Sequence, residues 1–548
     1  MFKKLSIIIL IINIFTSIFC QKIDKEVVVI KSYQPSLSEA SKINLMPVFG
    51  DTLIYKPNFK YSITPLNIKP IYQPRPVTAA RVTPEIPDNL SKTYLKLGLG
   101  NHFTPLAELS INSLRSKENS YGIYAHHYSS NSTIKHINGK DAVSDFTDNQ
   151  AKLYGMYFTP KTVLSGDIDF SNNNVMPFGV KADTIITLKK EDYYHKYYLP
   201  KASFSIESNE TDSSKLYYKL NGLYGFISDN QQFGEHNILM QGIISKTYES
   251  YYLMLSTDFD TYKPINKQDS LHNNIFSIKP ILSKSSDEWR FHIGFQTTID
   301  NNALKTKVYF FPSAQLTINI APKILTGYVS INGKLDANHS EKLSKENPYI
   351  LPGLQARNTN KRMILTGGLK GTITSNAAFN LNCSYSAIDN QYFFVNDSSN
   401  LLGNYFNTFY DNIELLAVNG DISIRSGKHL SIDSRATYRK YTMSKLAKPW
   451  HIPLFEANIT AKYNMQNKII AQTDIFFIGE RNAFDFQHKK AFIVLNPFVD
   501  INLGTTYRYT KYLSIYLQFK NLLASKYEAW NQYPAYRFQF MAGITYDL

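Results

Sequence analysis

Apolar and polar residues take turns along this chain with a period of two, and they do so again and again from about residue 92 to its last residue. A β-strand sends successive side chains to opposite faces, so each such run predicts a strand with one oily and one wet face. In the closing stretch, Tyr536, Phe538, Phe540, Ala542, Ile544, Tyr546 and Leu548 form the apolar set, against Arg537, Gln539, Met541, Gly543, Thr545 and Asp547. The same pattern is read at Leu95–Leu99, Trp289–Gln296, Leu325–Asp336, Phe379–Tyr385 and Phe455–Met465. Many runs last about 9–13 residues, the length a tilted strand needs to cross a bilayer.

Alternation alone also fits a soluble sandwich, and the polar set decides between the two. Lys, Arg, Asp and Glu occupy mid-strand positions in strand after strand, and few convincing helices are available to cover the apolar faces. A closed barrel of about 20 strands has a lumen too wide for side chains to fill, so polar-inside, apolar-outside is the consistent arrangement. Closure also removes sheet edges, which lipid does not tolerate. The expected fold is therefore all-β: a closed antiparallel transmembrane β-barrel of about 20–22 strands over residues 92–548, with the strand count least defined near 385–425. Connections alternate between short (465–468) and long (172–192, 337–360, 480–490), which places short turns on the periplasmic side and long loops outside. Tyr536–Leu548 is read as the closing strand, its even-numbered residues toward lipid.

Composition agrees. Aromatic residues make up 14% of the chain, with 39 Tyr and 34 Phe, while mean hydropathy is slightly negative; interfacial aromatic girdles on half-polar strands give this combination. The net charge of +15 becomes about +13 without Lys3 and Lys4. With export expected, this excess suits anionic headgroups or an anionic solute better than nucleic acid.

Export is read from MFKKLSIIILIINIFTSIFCQ: two lysines, a short apolar run, then a polar restart at Gln21. This is the layout of a secretory signal peptide, residues 1–20, and the run is too short and interrupted to span a bilayer as a helix. Phe19 is a poor fit to a lipoprotein cleavage site at Cys20. The other cysteine, Cys383, falls in the apolar set of FNLNCSYSA and reads as a small outward hydrophobe. Residues 21–91 carry prolines at 35, 47, 57, 65, 70, 74, 76, 84 and 87 but a single glycine, Gly50. Proline lacks the ladder N–H, so this segment reads as extended chain, periplasmic or docked in the lumen.

The C-terminal FKNLLASKYEAWNQYPAYRFQFMAGITYDL resembles the end of TonB-dependent receptors, through Asn521, Leu522, Lys526, Tyr527, Arg537 and Phe538. Its last residues are similar to the signal read by the barrel-assembly machinery, which implies that role for Gly543, Tyr546 and Leu548. In KEVVVIKSYQP, Glu26, Val27, Val28, Val29 and Ile30 resemble the segment those receptors offer to TonB as an added strand, and the same residues serve equally as an ordinary strand or partner contact. The resemblance departs at the plug: about 70 Pro-rich residues precede the barrel, where that family has a globular plug of well over a hundred.

No P-loop, GxSxG, HExxH or CxxC occurs, and no enzyme activity, cofactor or metal is expected. The pairs Asp167/Asp169 and Asp258/Asp260 read as lumenal carboxylates balanced by basic neighbours, being short of the oxygens Ca²⁺ takes. His126 and His127 fall on opposite strand faces, a poor chelate. The function implied is a plugless channel or receptor for solute passage across the outer membrane. The alternative is a non-transporting structural or assembly subunit, partnered by lipid, TonB or other outer-membrane proteins.

Overall fold

The computed structural model describes residues 91–548 apart from 115, 136–138, 140, 180–193, 211, 266–271, 303–304, 355, 400–401 and 486–491. The signal peptide, the Pro-rich segment up to residue 90 and Glu26–Ile30 lie outside the described residues.

Twenty-two strands form one sheet that closes on itself. Each pairs antiparallel with the next along the chain, as Thr93–Gly100 does with Thr104–Asn112. The seam joins first to last: Thr93–Gly100 pairs with Gln539–Asp547, Leu97 opposite Ile544 and Gly98 opposite Gly543. Three backbone hydrogen bonds tie Leu548 to Lys92 and Thr93 at its lower end. The count thus settles at the upper end of the expected range. The doubtful region resolves into the two longest strands, Ala377–Asn396 and Phe406–Ser426, whose upper parts rise beyond the membrane-spanning length.

Facing follows the alternation. Leu99, Ile293 and Phe295 are each more than half exposed on the outer wall, as a lipid-facing row requires, and Cys383 is exposed on that face. The inner face carries ion pairs held across neighbouring strands: Arg435 on Asp421 at 2.6 Å, Arg425 forked on Asp433 at 2.8 and 2.9 Å, Lys361 on Asp336 at 2.7 Å. Of the sequence-selected carboxylates, Asp167 takes Lys152 at 3.3 Å and Asp169 accepts from Ser171 at 3.0 Å. His126 lies against Glu108 and His127 against Asn149, on opposite faces.

The rim holding both chain ends of the wall has short turns, 209–216 being the longest; the other rim has the long connections. That assigns the first rim to the periplasm and the second to the outside. Tyr536 departs from expectation. The closing strand begins only at Gln539, and the Tyr536 hydroxyl turns inward to donate to Ser144 O at 2.7 Å. Pro534 and the short hairpin of Glu528–Trp530 with Tyr533–Pro534 hold this stretch out of the ladder.

Candidate functional site

The long connections do not stand open. They fold inward and share one apolar core, built from Met176, Phe178, Leu343, Ile350, Phe406 and Tyr533 with Trp530 and Tyr349 against it. These residues come from connections widely spaced around the wall, so they can meet only above the lumen. Tyr349 stacks on Tyr533 with centroids 3.9 Å apart, and Phe178 meets the same ring edge-on at 5.0 Å. A second cluster joins Ile388, Phe393, Val395, Ile413 and Trp450. Phe393, Phe394 and Val395 are all buried despite pointing to alternate faces, because lid segments cover both sides of the tall hairpin.

Polar contacts fix how the loops meet. Connection 337–358 contains the short helix Ser340–Glu346. Its first residue gives both its N–H and its hydroxyl to Glu235 on the wall, at 2.9 Å each. Tyr197 donates to Pro348 O at 3.0 Å, and Glu341 receives Lys201 and, at 2.7 Å, Lys345. Burial would raise the Glu341 carboxyl, but the two ammonium groups hold it below its ordinary value. Ile350 bridges to Phe406, with Leu351 N–H donating to Phe406 O and Phe406 N–H to Tyr349 O, both at 2.9 Å.

His451, Asn531 and Arg481 complete the lid. The His451 Nδ1 lies 2.9 Å from Phe394 O, and Nε2 accepts from the Asn531 N–H at 3.4 Å. This pair of contacts needs the neutral imidazole, and burial pushes His451 down to about 4. Arg481 donates to Ala529 O at 2.6 Å and to Glu528 O. Burial raises the Glu528 carboxyl to about 7 against the pull of Arg481.

Beneath this lid lies a chamber of about 780 Å³, within the range of small-molecule sites (roughly 300–1,000 Å³). The wall contributes Asp148, Asn173, Lys201, Asn502, Lys520 and Gln539; Tyr349, Tyr527, Tyr533 and Tyr536 roof it. Lys201 is held by Glu341, and Asp500 takes the Tyr527 hydroxyl at 2.7 Å. Polar side chains around an aromatic roof can orient a hydrated solute by hydrogen bonds and ring contacts. Among the described residues, no group of three His, Cys, Asp or Glu is placed to hold a metal ion.

Sequence reasoning missed this site. Its signals were QYFFV at 391–395, where apolar residues stop alternating, and the aromatic WNQYPAY at 530–536. The residues that sequence selected lie elsewhere. Gly543 lies midway along the closing strand, Tyr546 near its periplasmic end and Leu548 just beyond it, Tyr546 and Leu548 outward. Gly543 has a packing reason of its own: a Cβ there would come within 2.1 Å of Leu97 O and 2.5 Å of the buried Tyr516 ring.

By sequence, the chain matches no protein-family profile and no curated protein. Its structure is similar to the FrpB iron transporter from Neisseria meningitidis (TM-score 0.65, 10% identity, 84% of this chain and 82% of that one). It is similar to the ferric-catecholate import receptor Fiu from E. coli in its closed form (TM-score 0.62, 9% identity, 84% and 82%). The copper transporter OprC aligns equally widely (TM-score 0.63, 10% identity, 84% and 82%). At these identities the likeness is one of fold: a closed 22-stranded antiparallel barrel.

Proposed function

We propose that this outer-membrane barrel is a receptor-like transporter, taking a solute through the lidded mouth into the chamber below it. The observation that carries the reading is the chamber itself: a cavity of about 780 Å³ with a mixed polar and aromatic lining, between the wall and an interlocked roof. The similar structures, an iron transporter, a ferric-catecholate import receptor and a copper transporter, lend it support. In this reading, the lid keeps the lumen shut until it is displaced. The N-terminal segment 21–91 acts as a minimal plug, and Glu26–Ile30 offer a strand to TonB or another partner. Gly543, Tyr546 and Leu548 serve biogenesis through the barrel-assembly machinery.

The closed mouth also favours a second reading, a non-transporting subunit of an outer-membrane assembly. Planar-bilayer recording separates the two. Purified protein should conduct rarely, and a Trp530→Ala/Tyr533→Ala variant that also lacks residues 35–80, removing two rings from the lid core and the plugging segment together, should give large steps. Silence from both, with folding intact by heat-modifiable migration on gels, would defeat the transporter reading and leave the assembly subunit.

A further inference from the structure

The periplasmic rim is electrically lopsided. Five consecutive turns, 322–324, 375–376, 427–429, 466–468 and 509–512, bring Lys323, Lys428, Lys468 and Lys511 to the rim with no carboxylate among them. Three consecutive turns earlier in the wall, 209–216, 249–250 and 286–288, carry Glu210, Asp212, Glu249, Asp287 and Glu288. The lysine among them, Lys215, is taken up by Glu210 at 2.9 Å. All four lysines of the basic arc are exposed.

Their height relative to the membrane is marked by neighbouring aromatics. Tyr463, Tyr507, Tyr509 and Tyr512 are exposed at the foot of the same arc, and exposed tyrosines at the ends of barrel strands sit at headgroup level. Lys468 Nζ lies 5.1 Å from the Tyr507 ring centroid and Lys511 Nζ 4.6 Å from that of Tyr512. The alkyl stems thus run along the girdle and leave the ammonium groups among headgroup phosphates, the geometry of snorkelling side chains.

We propose that this arc is a docking surface for anionic phospholipids of the periplasmic leaflet, so that the barrel gathers them along one side. Charge complementarity favours this occupant, and the girdle contacts favour a lipid over an acidic protein, whose docking needs no register with interfacial tyrosines. A lysine near an anionic membrane surface is worth about 1 kcal/mol, or roughly fivefold in local lipid affinity.

The test uses the full-length protein in nanodiscs of phosphatidylcholine and phosphatidylglycerol at 3:1, with the lipid retained after a brief detergent wash quantified by mass spectrometry. The wild type should retain phosphatidylglycerol several-fold above its bulk fraction, and 0.5 M salt should abolish the excess. K323Q/K428Q/K468Q/K511Q should bring retention to the bulk ratio, while E249Q/D287N/E288Q should leave it unchanged or higher. Should the quadruple variant not reach the heat-modifiable form, K323Q/K428Q and K468Q/K511Q should each remove part of the excess. Equal retention by the wild type and the lysine variants overturns the proposal. That result would also follow if the arc binds an acidic protein instead.

Discussion

Replacing Ile459 by Arg should cost this barrel far more than replacing its neighbour Thr460. Ile459 is the fifth residue of the 11-residue strand Phe455–Met465. At about 3.4 Å per residue and a tilt of about 40°, it lies roughly 10 Å below the strand's upper end and 16 Å above its lower end, close to the bilayer centre. It is 39% exposed on the outer wall, so an Arg there puts a guanidinium into hydrocarbon at about 2–4 kcal/mol. Thr460 faces the lumen, its hydroxyl 2.7 Å from Asp474. Thr460→Arg loses that hydrogen bond, worth about 1 kcal/mol, but places the new cation in water beside a carboxylate. The expected difference is about 1–3 kcal/mol, or roughly 5- to 150-fold in the folding equilibrium. Urea titration of each variant in lipid vesicles, read by heat-modifiable gel migration, measures it. Equal losses would refute the facing assignment and with it the membrane barrel.

Gly543→Ala should cost about 1–3 kcal/mol in the same titration, because the backbone carbonyl of Leu97 is unable to yield to the new methyl. Lowering the pH should loosen the lid through His451, whose folded value of about 4 lies below the ordinary 6.5. Its contribution is complete above pH 6.5 and is lost as the pH falls through 4, by about 3 kcal/mol in all. Of the three tryptophans, Trp450 and Trp530 lie in the lid, so their emission should shift red on acidification. His451→Asn, compatible with the left-handed φ of 61° there, should abolish that response; an unchanged response would remove His451 from the account. Glu528 acts with the opposite sign: its folded value of about 7 exceeds the ordinary 4.5, so its contribution is complete below 4.5 and is lost as the pH rises through 7. Deleting residues 35–80 should raise conductance and antibiotic sensitivity with the barrel still folded. Unchanged permeability with a co-purifying protein lost would make the segment a partner arm, and no change in either would leave it a linker.

The wall was legible because one repeating constraint, a side chain to lipid then a side chain to water, writes itself at every second position. Ile459 and Thr460, or Ile293 and His292, can be sorted without coordinates. The lid was not, because its residues meet only through closure. Met176, Ile350, Phe406 and Tyr533 are strung along most of the chain, and nothing local marks them as neighbours. Near the mouth even the inner face changes character: Leu199 and Ile227 are buried and apolar, packed with Tyr197 and Phe233. Tyr536 was misjudged for the same reason. It continues the alternation on paper, but its hydroxyl has a partner in Ser144, 392 residues away.

That partner lies across the seam. Tyr536 precedes the last strand, and Ser144 follows the third. Asn101 adds two more ties over the same join, donating to Phe538 O at 3.1 Å and accepting from the Phe540 N–H at 3.0 Å. During biogenesis these contacts have no geometry until the first and last strands have met, so the roof can lock only after the cylinder is complete. A molecule stalled with its seam frayed would carry an unlatched roof as well, and would leak. Leakiness in cells that assemble this barrel poorly then reads out the order of events, wall first and roof second, without isolating a single intermediate.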